Sequence, residues 1–151
     1  MLGTSREAFI ESHAVSSYSL IATARCALPY LAPTSSITAM TYIGSRKVVP
    51  NYNIMGPAKA SLESCARALA YELGEKNVRV NCLSPGPVRT LAAKGIKGFS
   101  EMQRMASERA PMQRTANMEE ITSSATFLAS NYASAITGQI IYVDCGFSAV
   151  I

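Results

Sequence analysis

Apolar residues recur at helical spacing over residues 5–32: Phe9, Ile10, Tyr18, Leu20, Ile21, Ala24 and Leu28, with His13 on the same face. The spacing predicts a long helix, ragged at its end because Pro29 and Pro33 cannot continue it. Residues 35–42 form a short, mostly apolar run, the pattern of a buried strand, and residues 44–51 read as a loop. A second helix is predicted over 53–73, where Ala58, Leu62, Cys65, Leu69 and Leu73 repeat at steps of three and four, with Gly74 as its stop. Residues 78–83 alternate polar and apolar until Ser84-Pro85-Gly86-Pro87 breaks the pattern. Residues 91–110 are weakly helical and interrupted by Gly95 and Gly98, which predicts a mobile lid. Asn117-Met118-Glu119-Glu120 reads as a capping box opening a helix to about residue 130. Thr137-Gly138 then leads into a last strand over 139–143.

Helix and strand alternate throughout, which is the order of an α/β fold with a parallel sheet. Three strands make a narrow sheet with open edges, and none of the nine glycines forms a phosphate-cradling turn between a strand and a helix. The expectation is therefore a single partial domain over 1–151, lacking a preceding half. At 48% hydrophobic the chain can build one core, and no apolar run of membrane-spanning length or signal peptide is visible. The four cysteines, Cys26, Cys65, Cys82 and Cys145, make no CxxC pair, and there is one histidine. A metal site is not expected, and a reduced, cytoplasmic setting is. The net charge of +4 carries a local cluster: Arg89, Lys94, Lys97, Arg104, Arg109 and Arg114 against Glu101 and Glu108. No nucleic-acid recognition motif accompanies it, so an acidic protein or a phosphate-bearing substrate suits it better.

Tyr52 precedes Lys59 by seven residues at the start of the second predicted helix. Seven residues are close to two helical turns, which would turn both side chains the same way. On spacing alone, a surface tyrosine and a surface lysine do as well. The context favours chemistry: the pair follows a strand ending in Tyr42 and precedes one ending in a Pro-Gly-Pro turn, and ligands bind at the carboxyl ends of strands in open α/β sheets. A phenol beside an ammonium can donate to developing oxyanion charge. Tyr42 is as readily a packed core aromatic, and His13 a packed residue on an apolar helix face. Met55, Phe99 and Met102 suit a core as well as an apolar substrate slot.

Several stretches resemble the NADH-dependent enoyl-acyl-carrier-protein reductases of bacterial fatty-acid synthesis, in the short-chain dehydrogenase/reductase superfamily. They are Tyr42-Ile43-Gly44, Pro50-Asn51-Tyr52-Asn53, Lys59-Ala60-Ser61-Leu62-Glu63, Val78-Arg79-Val80-Asn81, the run from Ser84 to Lys97, Thr137-Gly138-Gln139 and Val143-Asp144-Cys145-Gly146-Phe147. The likeness runs from about Arg6 to Ser148. It implies the C-terminal half of a Rossmann-like, doubly wound parallel sheet, with the N-terminal dinucleotide-binding half absent. It also implies that Tyr42, Tyr52 and Lys59 are catalytic. Tyr52 would bond the thioester oxygen, and Lys59 the nicotinamide ribose of NADH. Thr41, Pro85, Gly86, Pro87, Val88 and Thr90 would flank the cofactor. Met55, Ile96, Phe99 and Met102 would join the tyrosines around the acyl chain.

The same resemblance implies an acyl carrier protein as substrate carrier, docked near Lys94, Lys97, Arg104 and Arg109, and a homotetramer as the complete assembly. Two departures stand out: Pro57 between Tyr52 and Lys59, and Cys145 where the family often has glycine. The alternatives are another short-chain reductase acting on a ketone or alcohol, and a truncated, non-catalytic protein. Against the first, ketone-reducing relatives usually place the tyrosine four residues before the lysine.

Overall fold

The computed structural model describes residues 1–91, 93 and 98–150. Helix α1 (Arg6–His13) begins where the Ser5 hydroxyl accepts the Ala8 N–H at 3.1 Å. It runs into a π-helical turn (Ala14–Tyr18) and then α2 (Ser19–Ala27) without leaving helical backbone angles. The predicted single helix is thus one rod with a wide turn in it, closed by a 3₁₀ turn at Leu28–Tyr30 that contains Pro29. A π turn shifts the register of the faces on either side. Here Ser17 faces the helix over Met55–Gly74, where its hydroxyl pairs with that of Ser61 at 2.7 Å.

Strand β1 (Ser36–Met40), helix α3 (Met55–Gly74) and strand β2 (Arg79–Pro85) follow. Helix α3 buries Ala58, Leu62, Ala66, Leu69, Ala70 and Leu73. Cys65, predicted on that stripe, is only half-buried and lies against Ser17. Pro57 is the third residue of α3, where its missing N–H would have had no partner within the helix. Gly74, the predicted stop, is the last helical residue. The reversal is made by Asn77, at φ +56°, whose N–H bonds the Gly74 carbonyl at 2.8 Å. Asparagine tolerates the left-handed region that closes a helix.

Helices α4 (Phe99–Arg109) and α5 (Met118–Ala129), strand β3 (Ile140–Val143) and the short α6 (Phe147–Val150) complete the chain. The capping box at α5 forms as predicted: Asn117 accepts the Glu120 N–H, and Glu120 accepts the Asn117 N–H, each at 2.9 Å. Arg114 also bonds Glu120, and together they hold its carboxyl down to about 2. Cys145 sits at φ +58°, a backbone region that suits glycine.

The sheet is wholly parallel in the order β1-β2-β3, with Ser36 opposite Arg79 and Cys82 opposite Ile140. α3 covers one face, where Ala66, Leu69, Ala70 and Leu73 meet Val80 and Cys82. α5 covers the other, where Ile121 and Leu128 meet Leu83. The alternation in β2 therefore does not mark a solvated face. Its polar members Arg79 and Asn81 are buried, and they bond the carbonyls of Leu128, Ser130 and Ile136.

Candidate active site

Parallel pairing brings the carboxyl ends of all three strands to one edge of the sheet. There Tyr42 follows β1, and the Pro85-Gly86-Pro87 turn closes β2. The first turns of α3 and the start of α4 complete a cleft of about 490 Å³. Its lining includes Tyr42, Tyr52, Met55, Lys59, the turn Pro85-Gly86-Pro87-Val88, Thr90, Phe99 and Met102. Residues scattered over sixty positions thus line one cleft. Ile96, Lys94 and Lys97 lie outside the described residues.

Thr41 differs from the expectation. It is buried, its N–H continues the β1–β2 ladder to the Leu83 carbonyl, and its hydroxyl donates to the Glu63 carboxylate at 2.6 Å. It therefore supports the cleft from behind rather than lining it. Asn51 and Ala93 also line the cleft, and sequence reasoning missed both. Asn51 had a signal: it and Asn53, at φ +65° and +43°, make the tight entry to α3. His13 stacks on Phe9 with ring centres 4.2 Å apart, outside the cleft.

Tyr52 stands before α3 in that turn, so helical periodicity is not what aligns it with Lys59. Ring packing does. The Tyr42 and Tyr52 rings meet edge to face at 5.1 Å and 69°. A methyl group built on Gly44 would come within 2.5 Å of Tyr52 Cδ1, and one on Gly56 within 2.7 Å of the Gly44 carbonyl oxygen. The two glycines let the 3₁₀ turn at Ile43–Ser45 and the start of α3 close directly onto each other, with the Tyr52 ring against Gly44. Gly44→Ala is therefore expected to displace the ring. Overpacking of this kind lowers stability by about 1–3 kcal/mol. The signature is a loss of turnover in protein that is still folded, measured at a temperature well below its unfolding midpoint. Wild-type turnover in the variant would show that the ring is positioned otherwise.

Burial pushes the Tyr42 phenol up to about 12. Burial, and then the neighbouring Tyr42, push Tyr52 up to about 12 as well. Both remain neutral donors at physiological pH. The Tyr42 hydroxyl donates to the Met102 sulfur at 3.1 Å, tying β1 to α4 across the cleft. Lys59 donates to the Met40 carbonyl at 2.8 Å. Burial lowers its proton affinity, while Cys82 and Glu63 raise it. An ammonium carries three protons, so Lys59 keeps donors for a ligand hydroxyl beyond the one spent on Met40. The arrangement can place two phenols and a cation around an oxygen that gains negative charge. No group of three or more potential metal ligands occurs among the described residues.

A family model described as enoyl-(acyl carrier protein) reductase matches residues 1–148. The enoyl-acyl-carrier-protein reductase (NADH) FabI of Haemophilus influenzae is 46% identical over 143 residues, which cover 95% of this chain and 55% of that protein. The corresponding Bacillus subtilis protein is 47% identical over 146 residues, covering 97% and 57%. The crystal structure of the Bacillus cereus enoyl-acyl carrier protein reductase with NADP+ and an indole naphthyridinone superposes with a TM-score of 0.96 at 43% identity, over 99% of this chain and 58% of that one. The chain thus spans little more than half the length of the relatives it matches. The family model covers nearly the whole chain, and the chain belongs to the enoyl-acyl-carrier-protein reductase family.

Proposed function

We propose that this chain forms the catalytic and substrate-binding part of an enzyme that reduces the carbon–carbon double bond of trans-2-enoyl-acyl-carrier-protein with NADH, in type II fatty-acid biosynthesis. The convergence of Tyr42, Tyr52 and Lys59 with the Pro85–Thr90 segment in one cleft is the observation that carries this reading. The residues suit the nicotinamide half of a dinucleotide. Gly86 presents bare backbone beside Asp144, and Lys59 offers donors to a pair of ribose hydroxyls. When bound, NADH supplies a hydride to the substrate β-carbon. The Tyr52 hydroxyl would donate to the thioester oxygen, on which the displaced electron pair collects, and stabilise the enolate until the α-carbon takes a proton from solvent. Tyr42 holds Tyr52 in place and closes the pocket onto Met102. Met55, Phe99 and Met102 give the acyl chain an apolar wall.

Further parts of the reading concern the chain's surroundings. Residues 91–110 would act as the lid, with α4 as its helical arm. An acidic acyl carrier protein would dock beside it on Lys94, Lys97, Arg104 and Arg109. Arg104 is also bonded to Glu101 and Glu108 on its own helix, each at 2.6 Å, so less of its charge is free for a carrier. Phe9, Ile10, Val15 and Tyr18 stand exposed along the first helical rod, which supports self-association and a homotetramer in the complete enzyme. No helix of the described residues is long and apolar enough to cross a membrane, which suits a cytoplasmic setting. The test is a substrate panel: the complete reductase is expected to oxidise NADH with a crotonyl thioester and not with simple ketones. Preference for a ketone would move the chain's activity to another short-chain reduction.

A further inference from the structure

Helix α3 grips the end of β1 at two successive turns. Lys59 reaches the Met40 carbonyl at 2.8 Å, and Glu63, four residues on, accepts the Thr41 hydroxyl at 2.6 Å. Glu63 is 5% exposed and Thr41 4%, and neither lines the cleft. A buried carboxylate is unfavourable unless hydrogen bonds and opposite charges compensate it. Thr41 supplies one hydrogen bond. Among the described residues Glu63 and Lys59 form no direct ion pair, but they lie on one helix face at one-turn spacing. Arg46 also feels the Glu63 charge. Among the described residues, Lys59 also has the Cys82 thiol on β2 and the two cleft phenols near it, and Arg67, one turn after Glu63 on α3, acts on the same thiol.

We infer that Glu63 is a positioning residue: through Thr41 it clamps the strand end that carries Tyr42, and it provides the counter-charge for the Lys59 ammonium. This rests on the reading of Lys59 as the cation of the site. Burial alone favours the neutral amine, and the Cys82 thiol on β2 together with the Glu63 carboxylate one turn away opposes this. A mere packing role would leave the Lys59 titration unmoved when the carboxylate is replaced by an amide of the same shape.

The test uses the protein that carries this chain, without substrate. The rate of acetylation at Lys59 is followed against pH by mass spectrometry, together with hydrogen exchange of the peptide spanning residues 36–45. Glu63→Gln is expected to move the Lys59 reactivity midpoint to lower pH, because the ammonium no longer faces a carboxylate. Glu63→Asp should restore part of the shift. Thr41→Val keeps the charge, so it should leave the midpoint close to wild type while exchange at 36–45 speeds up about tenfold. In the complete reductase the alkaline limb of kcat/KM should follow the Glu63→Gln midpoint. An unchanged Lys59 midpoint in Glu63→Gln overturns the counter-charge, and unchanged exchange in Thr41→Val overturns the clamp. Both readings are independent of turnover, so they separate a failure of this inference from a failure of the proposed reaction.

Discussion

In the complete reductase, Tyr52→Phe lowers kcat for a trans-2-enoyl thioester by about 10²-fold or more, while affinity for NADH stays near wild type. The magnitude is that of removing one preorganised donor from an oxygen that becomes anionic. The variant is clean because the ring remains. Its edge contact with Tyr42 at 5.1 Å and its seat against Gly44 involve carbon atoms only, so the loss isolates the hydroxyl. Because the bond strengthens only as charge develops, the effect falls on kcat more than on KM. Lys59→Ala behaves differently. It removes the ammonium that would hold the ribose hydroxyls, and it frees the Met40 carbonyl at the end of β1. Cofactor affinity falls together with turnover. Steady-state kinetics paired with NADH titration distinguish the two patterns, and unchanged turnover in both variants would remove these residues from the mechanism.

Arg79→Ala is expected to reduce unfolding free energy by about 1.5–3 kcal/mol, the range for losing hydrogen bonds made by a charged group. Arg79 is 6% exposed, and its guanidinium donates to the carbonyls of Leu128 at 2.8 Å, Ser130 at 3.1 Å and Ile136 at 3.5 Å. Leu128 lies in the last turn of α5 and Ser130 caps it, where carbonyls have no partner within the helix and a cation complements the helix dipole. Alanine leaves the Ser130 carbonyl without its donor, while Leu128 keeps the Ser36 hydroxyl and Ile136 keeps Asn81, and it opens a cavity against α5. Lysine restores the charge but not the forked geometry that reaches three carbonyls at once, so Arg79→Lys should recover only part of the loss. Urea unfolding gives the number, and faster hydrogen exchange over residues 128–137 localises it. A change below about 1 kcal/mol would mean that water replaces the guanidinium at these carbonyls.

Much of the framework is a local property of the chain. The three- and four-residue spacing of Ala58, Leu62, Leu69 and Leu73 requires a buried helical stripe, and α3 has it. Asn117 and Glu120 make a capping box from residues three apart, so its formation needs nothing beyond the first turn of α5. Pro85-Gly86-Pro87 ends β2 because proline cannot donate to the ladder. The order of elements then restricts the sheet to a parallel one, and parallel strands carry Tyr42 and the Pro85 turn to the same edge. The family likeness assigned the cleft residues in advance, and every assigned residue within the described part except Thr41 lines it.

Sequence by itself therefore determined the helices, the strands and the parallel order, because these follow from periodicity, capping and turn chemistry within a few residues of one another, whereas the candidate cleft residues came from the family resemblance. Tertiary structure decided what depends on groups distant in the chain. Glu63, one turn after Lys59, has the spacing of an ordinary exposed pair, yet the arrival of β1 buries it against Thr41. Arg79 and Asn81 have the pattern of a solvated strand face, yet the carbonyls at the end of α5 and in the turn before β3 draw them inside. Gly44 and Gly56 meet only because a loop of eleven residues folds back on itself, and the π turn at Ala14–Tyr18 forms in the rod whose Ser17 meets Ser61 on α3. In each case a polar or small residue is matched to a partner whose position is set by packing, and local pattern carries no record of that partner.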